Sequence, residues 1–220
     1  MHISVAARLS KDWSEASDFV RARYERAYRA DILPDPDCFI IARKTVSASG
    51  PQSGQRIVAC GGLTFNSDRG FFSERYLERP IDEVVRAATG QACDREDIVE
   101  IGSLAGGGGA GLELVRLLPI LSWCHGMRFL MCTVTAELTQ TLDRVGIEFQ
   151  PLAESSADRL TAFERQRWGT YYDHRPTVGV IDLEGISSLF SQTTGKYNFT
   201  NLQVALRGER SGKELTHATR

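Results

Sequence analysis

Long hydrophobic runs are missing from this sequence. Its most apolar stretch, Leu112 to Trp123, is broken by Glu113 and Arg116 and falls well short of the roughly 20 residues that a bilayer-spanning helix needs. The first residues, Met-His-Ile-Ser-Val-Ala-Ala-Arg, lack the basic flank and long apolar core of a secretory leader. An unprocessed, cytoplasmic chain without a membrane partner is the expectation. Paired cysteines are missing too: Cys38, Cys60, Cys93, Cys124 and Cys132 contain no CxxC pair, and an odd number excludes complete pairing. Neither a zinc knuckle nor a disulfide framework is written here, no metal site is expected, and a reducing compartment fits. Nor is there an excess of charge. Lys and Arg total 26 against 28 Asp and Glu, for a formal net charge of -2, which argues against a polybasic nucleic-acid surface or an acidic tail. No internal repeat is visible.

What is present is enough chain, 220 residues, for one domain with a real core. Residues 1–186 read as that domain, and 187–220, where the chain turns polar, as a partly disordered C-terminal extension. Ile3 to Ala7 reads as a short edge strand. Ser10 or Asp12 then caps a helix whose apolar positions, Trp13, Ala16, Phe19, Val20, Tyr24, Ala27 and Tyr28, recur at spacings of three and four. Arg21, Arg23, Arg26 and Arg29 share its other face, which is either solvated or a docking surface for an acidic carrier or a nucleic acid.

Pro34 and Pro36 end that segment. Strands over Cys38 to Arg43 and Arg56 to Leu63, joined by a Ser/Gly/Pro-rich loop over Ser47 to Gly54, complete an antiparallel meander. A short helical element stops before Pro80, and a second helix covers Ile81 to Ala88 with Val84 and Val85 inward.

The densest signal runs from Ile98 to Arg116. A β-branched strand, Ile98 to Ser103, leads into Gly106, Gly107, Gly108, Gly109 and Gly111, and an apolar helical pattern follows at once. Amides freed at a helix N-terminus bind anions without side chains, because they lack intrahelical partners and the helix dipole adds positive charge. A phosphate-bearing ligand is expected; the alternative is that these glycines serve only a tight turn. Pro119 should kink or end the helix, at a cost of about 3 kcal/mol. Arg128 to Thr135 is then a strand that the crossover makes parallel to Ile98–Ser103. Helices over Ala136 to Val145 and Ala157 to Arg167 follow, with strands from Ile147 and over Thr177 to Asp182.

Two other chemistries are excluded on spacing. Gly106-x-Gly108-x-x-Gly111 satisfies a dinucleotide fingerprint formally, yet the acidic ribose ligand beyond the next strand is missing. Cys124 and His125 are helix neighbours about 100° apart and do not make a nucleophile–base pair. His174 beside Asp173 is a loop histidine, either solvated or a general base.

The order of elements resembles the GNAT acyltransferase superfamily. More closely, the chain resembles the thermostable hemolysin family, placed within that fold and similar in layout to acyl-homoserine-lactone synthases. The resemblance covers roughly residues 15 to 182. It is carried by Arg23-Tyr24 with Ala27-Tyr28, Phe72 through Glu74, Tyr76-Leu77, Pro80-Ile81, Val99 through Ala105, and Trp168-Gly169 with Tyr171-Tyr172 and Pro176. It implies an α+β fold in α/β/α layers: a mixed central sheet with an antiparallel N-terminal meander and one parallel βαβ unit.

The resemblance also implies an N-acyltransferase with no tightly bound cofactor, its acyl donor arriving as cosubstrate and its acceptor a small-molecule amine. Ser103, Leu104 and the glycines 106 to 109 and 111 would hold the donor. Gly109 and Gly111 match the superfamily's pyrophosphate loop, whereas Gly106 stands where a long Gln or Arg is expected. The donor is therefore left among a coenzyme A thioester, a thioester on acyl carrier protein, and an aminoacyl-tRNA. Glu100 matches a carboxylate that deprotonates the attacking amine through water, a role suited to a partly buried acid; a Glu paired with an Arg is the alternative. Gly102 and Ser103 would supply a bulge exposing backbone groups to the acyl carbonyl, and Thr133 and Thr135, on one strand face, would bond the acceptor. The superfamily's usual tyrosine acid has no equivalent in Ala136 to Val145, so Tyr171 or Tyr172 substitutes. Other readings kept open are a membrane-active cytolysin, as the family name suggests, and a GNAT-shaped binding module without activity.

Overall fold

The structure is a computed structural model that describes residues 1–46 and 54–186. Seven strands form one sheet in the order β1-β2-β3-β4-β5-β7-β6. They are β1 His2–Ala7, β2 Cys38–Val46, β3 Gly54–Phe65, β4 Ile98–Gly106, β5 Phe129–Val134, β6 Gln150–Glu154 and β7 Thr177–Asp182. Every neighbouring pair is antiparallel except β4 with β5. Among the described residues the five α-helices are α1 Lys11–Tyr28, α2 Ile81–Thr89, α3 Gly108–Cys124, α4 Ala136–Arg144 and α5 Ala162–Arg167.

Strand alternation sorts the layers, because successive side chains leave opposite faces. Ile40 and Ala42 of β2 share a core with Leu114, Leu118 and Leu121 of α3 and Leu142 of α4. Phe39 and Ile41, one residue out of phase, pack instead against Ala16 and Val20 of α1. Farther along the second face, Ile98, Phe129 and Met131 meet Ile81 and Val85 of α2 and Phe71 and Tyr76 around a 3-10 helix, Phe72–Tyr76. This is the expected α/β/α arrangement: an antiparallel meander of β1 to β4, then one parallel unit β4-α3-β5.

Most boundaries follow local chemistry. Ser10 caps α1 by accepting from the Trp13 amide, the preferred role of a serine there. β7 occupies the expected Thr177–Asp182.

Four expectations are corrected. Pro119 lies inside α3 without ending it. Its ring removes one donor, yet Leu117, Leu118, Ile120 and Leu121 are all buried around it, and that packing holds the helix together. Residues 157–167 do not form one helix. They form a 3-10 helix, Ala157–Arg159, followed by α5, because Thr161 and Glu164 build a reciprocal capping box that starts a new helix. Ala27 faces solvent instead of the core. β4 continues to Gly106 instead of stopping at Ser103. The expected loop over 47–53 and the extension 187–220 lie outside the described residues.

Candidate active site

β4 and β5 pair over four positions, from Ile98 with Phe129 to Ile101 with Cys132, and then part. The cause is visible on the other edge of β4. Gly102 faces Gly62 and Ala105 faces Cys60, so Ser103 and Leu104 are squeezed into a bulge, with Ser103 at a φ of +52°. β5 meanwhile ends at Val134. Thr135, expected on the strand beside Thr133, instead caps α4, its hydroxyl accepting from the Leu138 amide at 3.4 Å.

A cavity of about 600 Å³ fills the fork. The glycine turn is part of its exposed lining: Gly106 at φ +153°, Gly107 extended, Gly108 at φ +58°. Gly107 is the N-cap of α3, so the amides of Gly108, Gly109 and Ala110 have no partner within the helix. Side chains added at Gly107, Gly108 or Gly109 would meet nothing within 4 Å, so this approach is open. Ser103, Leu104, Gly106, Gly107, Gly108, Gly111, Thr133 and Thr135 all line the cavity, whereas Gly109 does not. Its inner wall is apolar, with Leu114, Leu118 and Leu130.

A second cavity of about 430 Å³ lies on the α1 side of the sheet. The two share Tyr24, Ile101, Gly102, Ser103, Thr133 and Tyr171 as lining. The first chamber reaches from α3 between the parted strands to Tyr24, Tyr28 and Tyr171 on the α1 side, where it adjoins the second.

Glu100 lines the second chamber but is only 4% exposed. Strand alternation from Ile98 turns it toward the 3-10 helix Phe72–Tyr76. There the Phe72 amide donates to Oε2 at 2.8 Å, and the Ser73 amide and hydroxyl donate to Oε1 at 2.9 and 2.5 Å. Its partners are thus amides and a hydroxyl, not the arginine of the alternative reading. Burial pushes its pKa up, and the Ser73 hydroxyl and the two amides only partly offset this. The Ser73 hydroxyl also lies 2.8 Å from Thr133 Oγ1.

Tyr171 is buried, donates to the Thr133 carbonyl at 3.4 Å and packs on Trp168 with ring centroids 4.9 Å apart. Burial raises its phenol well above 10, so it stays protonated. Tyr172 sits behind it, hydroxyl to hydroxyl with Tyr76 at 2.5 Å, and lines neither chamber. His174 packs against Tyr28 and is likewise outside both. Among the described residues no cluster of three or more His, Cys, Asp or Glu side chains gathers for a metal, and no helix is long and apolar enough to cross a membrane.

Sequence reading missed Ser73. Phe72 through Glu74 belong to the run that carries the resemblance, but nothing local says that this segment folds back on a strand 27 residues later.

A mixed sheet forked at its one parallel pair, with a glycine turn opening a helix at the fork, defines the GNAT-like acyltransferase fold. Solved structures share this architecture. One is the AHL synthase LasI, at 13% identity over 86% of this chain and 94% of that one, with a TM-score of 0.52. Another is the coenzyme A-dependent acyl-homoserine lactone synthase BjaI with SAM and isopentyl-CoA, at 14%, 87%, 89% and 0.54. A third is FeeM, an N-acyl amino acid synthase from uncultured soil microbes, at 11%, 86%, 99% and 0.53. The chain belongs to the thermostable hemolysin family, whose sequence profile matches residues 6–186. No curated protein matches it by sequence.

Proposed function

We propose that this protein is an N-acyltransferase that moves an activated acyl or aminoacyl group from a phosphate-bearing donor directly to the amine of a small molecule. The observation that carries this reading is the pair of chambers meeting at the β4/β5 fork. A donor and an acceptor entering from opposite sides of the sheet reach each other only there.

In this reading the donor's phosphate sits on the amides of Gly108, Gly109 and Ala110, aided by the α3 dipole. Its acyl group extends along the apolar wall of Leu114, Leu118 and Leu130. The acceptor lies in the second chamber, where Glu100 takes a proton from its ammonium; a base of raised pKa suits that transfer near neutrality. The free amine attacks the acyl carbonyl, and backbone amides at the Gly102–Ser103 bulge face the oxyanion that forms. Collapse breaks the bond to sulfur or oxygen and leaves the new amide; the second proton of the attacking nitrogen is passed on by way of Tyr171, which gives its own proton to the leaving group and takes that one in its place, so the donor departs as a thiol or hydroxyl. FeeM and the synthases LasI and BjaI share the fold, and BjaI carries isopentyl-CoA in its solved complex.

Three donors satisfy this chemistry: a coenzyme A thioester, an acyl-carrier-protein thioester and an aminoacyl-tRNA. All three are made in the reducing cytoplasm, which suits five unpaired cysteines. Native mass spectrometry of the protein mixed with each donor separately tests the proposal. Retention of one of them, followed by N-acylation of a member of an amine panel, supports it. Retention of none, with no acylated amine, overturns it.

A further inference from the structure

We infer that the acceptor's proton reaches Glu100 through two side-chain hydroxyls, first that of Thr133 and then that of Ser73. The inference rests on the acyl-transfer reading above and adds the path.

Burial sets the order. Thr133 is half-buried and lines both chambers, whereas Ser73 and Glu100 line only the second and are 2% and 4% exposed. Alternation along β5 puts Thr133 on the face of Met131, and Met131 is the register partner of Glu100. The 3-10 helix then lays Ser73 across the two strands, with its Oγ 2.5 Å from Glu100 Oε1 and 2.8 Å from Thr133 Oγ1.

Proton inventory fixes the direction. A hydroxyl has one hydrogen to give and lone pairs to accept. Ionised Glu100 only accepts, so Ser73 gives its hydrogen to Oε1, and Thr133 must give its own to Ser73. The lone pairs of Thr133 are left for a donor in the chamber, the position of the acceptor's ammonium. The Ser73 amide also occupies Oε1, so the hydroxyl is the one contact there that can pass a proton on.

In the transfer, the ammonium N–H breaks and its proton binds Thr133 Oγ1. The hydrogen already on Thr133 moves to Ser73 Oγ, and the hydrogen of Ser73 moves to Glu100. One ammonium becomes an amine and one carboxylate becomes a carboxylic acid; no other species is consumed.

The competing route is direct. Glu100 Oε2 accepts one amide, from Phe72, and retains lone-pair capacity that could take the proton without either hydroxyl. Four variants separate the routes, assayed with whichever of the three donors the protein retains: Thr133→Val, Thr133→Ser, Ser73→Ala and Glu100→Gln. Thermal melting first confirms that each is folded; valine fills the shape of threonine and suits a strand. A relay predicts a kcat loss of about 10²- to 10⁴-fold in Thr133→Val, the usual worth of a positioned proton-transfer group, with a much smaller change in acceptor KM. Thr133→Ser recovers most of the rate. The rate in mixed H₂O/D₂O is bowed in the wild type, several protons moving together, and linear in the residual activity of Thr133→Val.

If Thr133→Val and Ser73→Ala keep wild-type kcat while Glu100→Gln loses it, the relay is wrong and the transferase reading stands. If Glu100→Gln also turns over normally, or the wild type acylates no amine, both fall.

Discussion

A Cβ on Gly106 would stand 2.6 Å from the Cβ of Ala59 and 3.0 Å from its Cα. The first glycine of the turn is therefore set by the close passage of β3, and its φ of +153° disfavours a side chain further. This accounts for the absence of the long side chain that the superfamily resemblance leads one to expect there. Gly106→Gln should lower stability by about 1–3 kcal/mol, the usual cost of overpacking, and should not improve retention of coenzyme A. Gly109→Ala, in the first turn of α3 with open space around it, should raise stability by up to about 1 kcal/mol. Thermal melting of the two variants checks the contrast.

The pH dependence follows from Glu100. In the proposed role of base it must be ionised, and burial holds its pKa above the ordinary carboxylate value. The value of kcat/KM should fall as pH drops through that raised pKa. The Ser73 hydroxyl opposes the rise, so Ser73→Ala should move the acid limb to higher pH. Linkage runs the other way for stability: between the two pKa values the native state binds the extra proton, so Glu100's contribution is full below the ordinary carboxylate value and declines as pH rises through the raised one. Urea denaturation across that window should show the wild type losing stability relative to Glu100→Gln as pH increases.

Glu74 holds the segment that presents Ser73. Arg95 donates to its two oxygens at 2.5 and 2.8 Å, while the amides of Ile81 and Phe71 donate at 3.2 and 3.3 Å. Burial raises the Glu74 pKa, but the Arg95 hydrogen bond and the amides outweigh it, and the net direction is down. Glu74→Ala should cost about 1–3 kcal/mol by leaving these donors unpaired. Stabilisation by Glu74 is present above the ordinary carboxylate pKa and is lost as pH falls through its lowered one, so wild type and variant should converge in urea midpoints under acid conditions.

Gly169 fastens the aromatic wall to α1. A Cβ there would meet the Tyr28 carbonyl at 2.2 Å and the Arg29 carbonyl at 2.6 Å, and its φ is +51°. Because these are backbone atoms, relief must come from moving Trp168 and Tyr171. Gly169→Ala should cost roughly 3 kcal/mol or more, combining overpacking with left-handed strain. Thermal melting reads that loss, and an unchanged midpoint would show that the wall is not held at this point.

Thiol chemistry offers a simple check of the core. Cys38, Cys60, Cys93 and Cys132 are buried, and burial pushes Cys38, Cys60 and Cys132 up to about 12, whereas Cys124 is exposed. A thiol reagent should modify one cysteine quickly in the native protein and the rest only on unfolding. The rate at Cys124 should climb with alkaline pH, because its own pKa is raised by partial burial.

Local chemistry made much of this legible. The strand, glycines and helix from Ile98 announce the fork, because glycine clusters and hydrophobic period are short-range signals. Thr161-x-x-Glu164 is likewise a local helix-start signal, and its spacing divides residues 157–167. Pro119 misleads for the opposite reason: local sterics say stop, while burial on every side says continue. Ser73 and the displacement of Thr135 from β5 depend on how distant segments pack, and no window of sequence contains that.

β7 is laid between β5 and β6, and the Trp168–Tyr171 wall is fastened to the end of α1 by Thr170 donating to the Tyr28 carbonyl at 2.8 Å. Both leave the ribosome only after β5 has done so. Until they emerge, β5 has a bare outer edge capable of pairing with another nascent chain, and the second chamber lacks a side. Completion of the fork's surroundings is thereby deferred until these segments have emerged, and the interval before it is when a stalled chain is most exposed to aggregation.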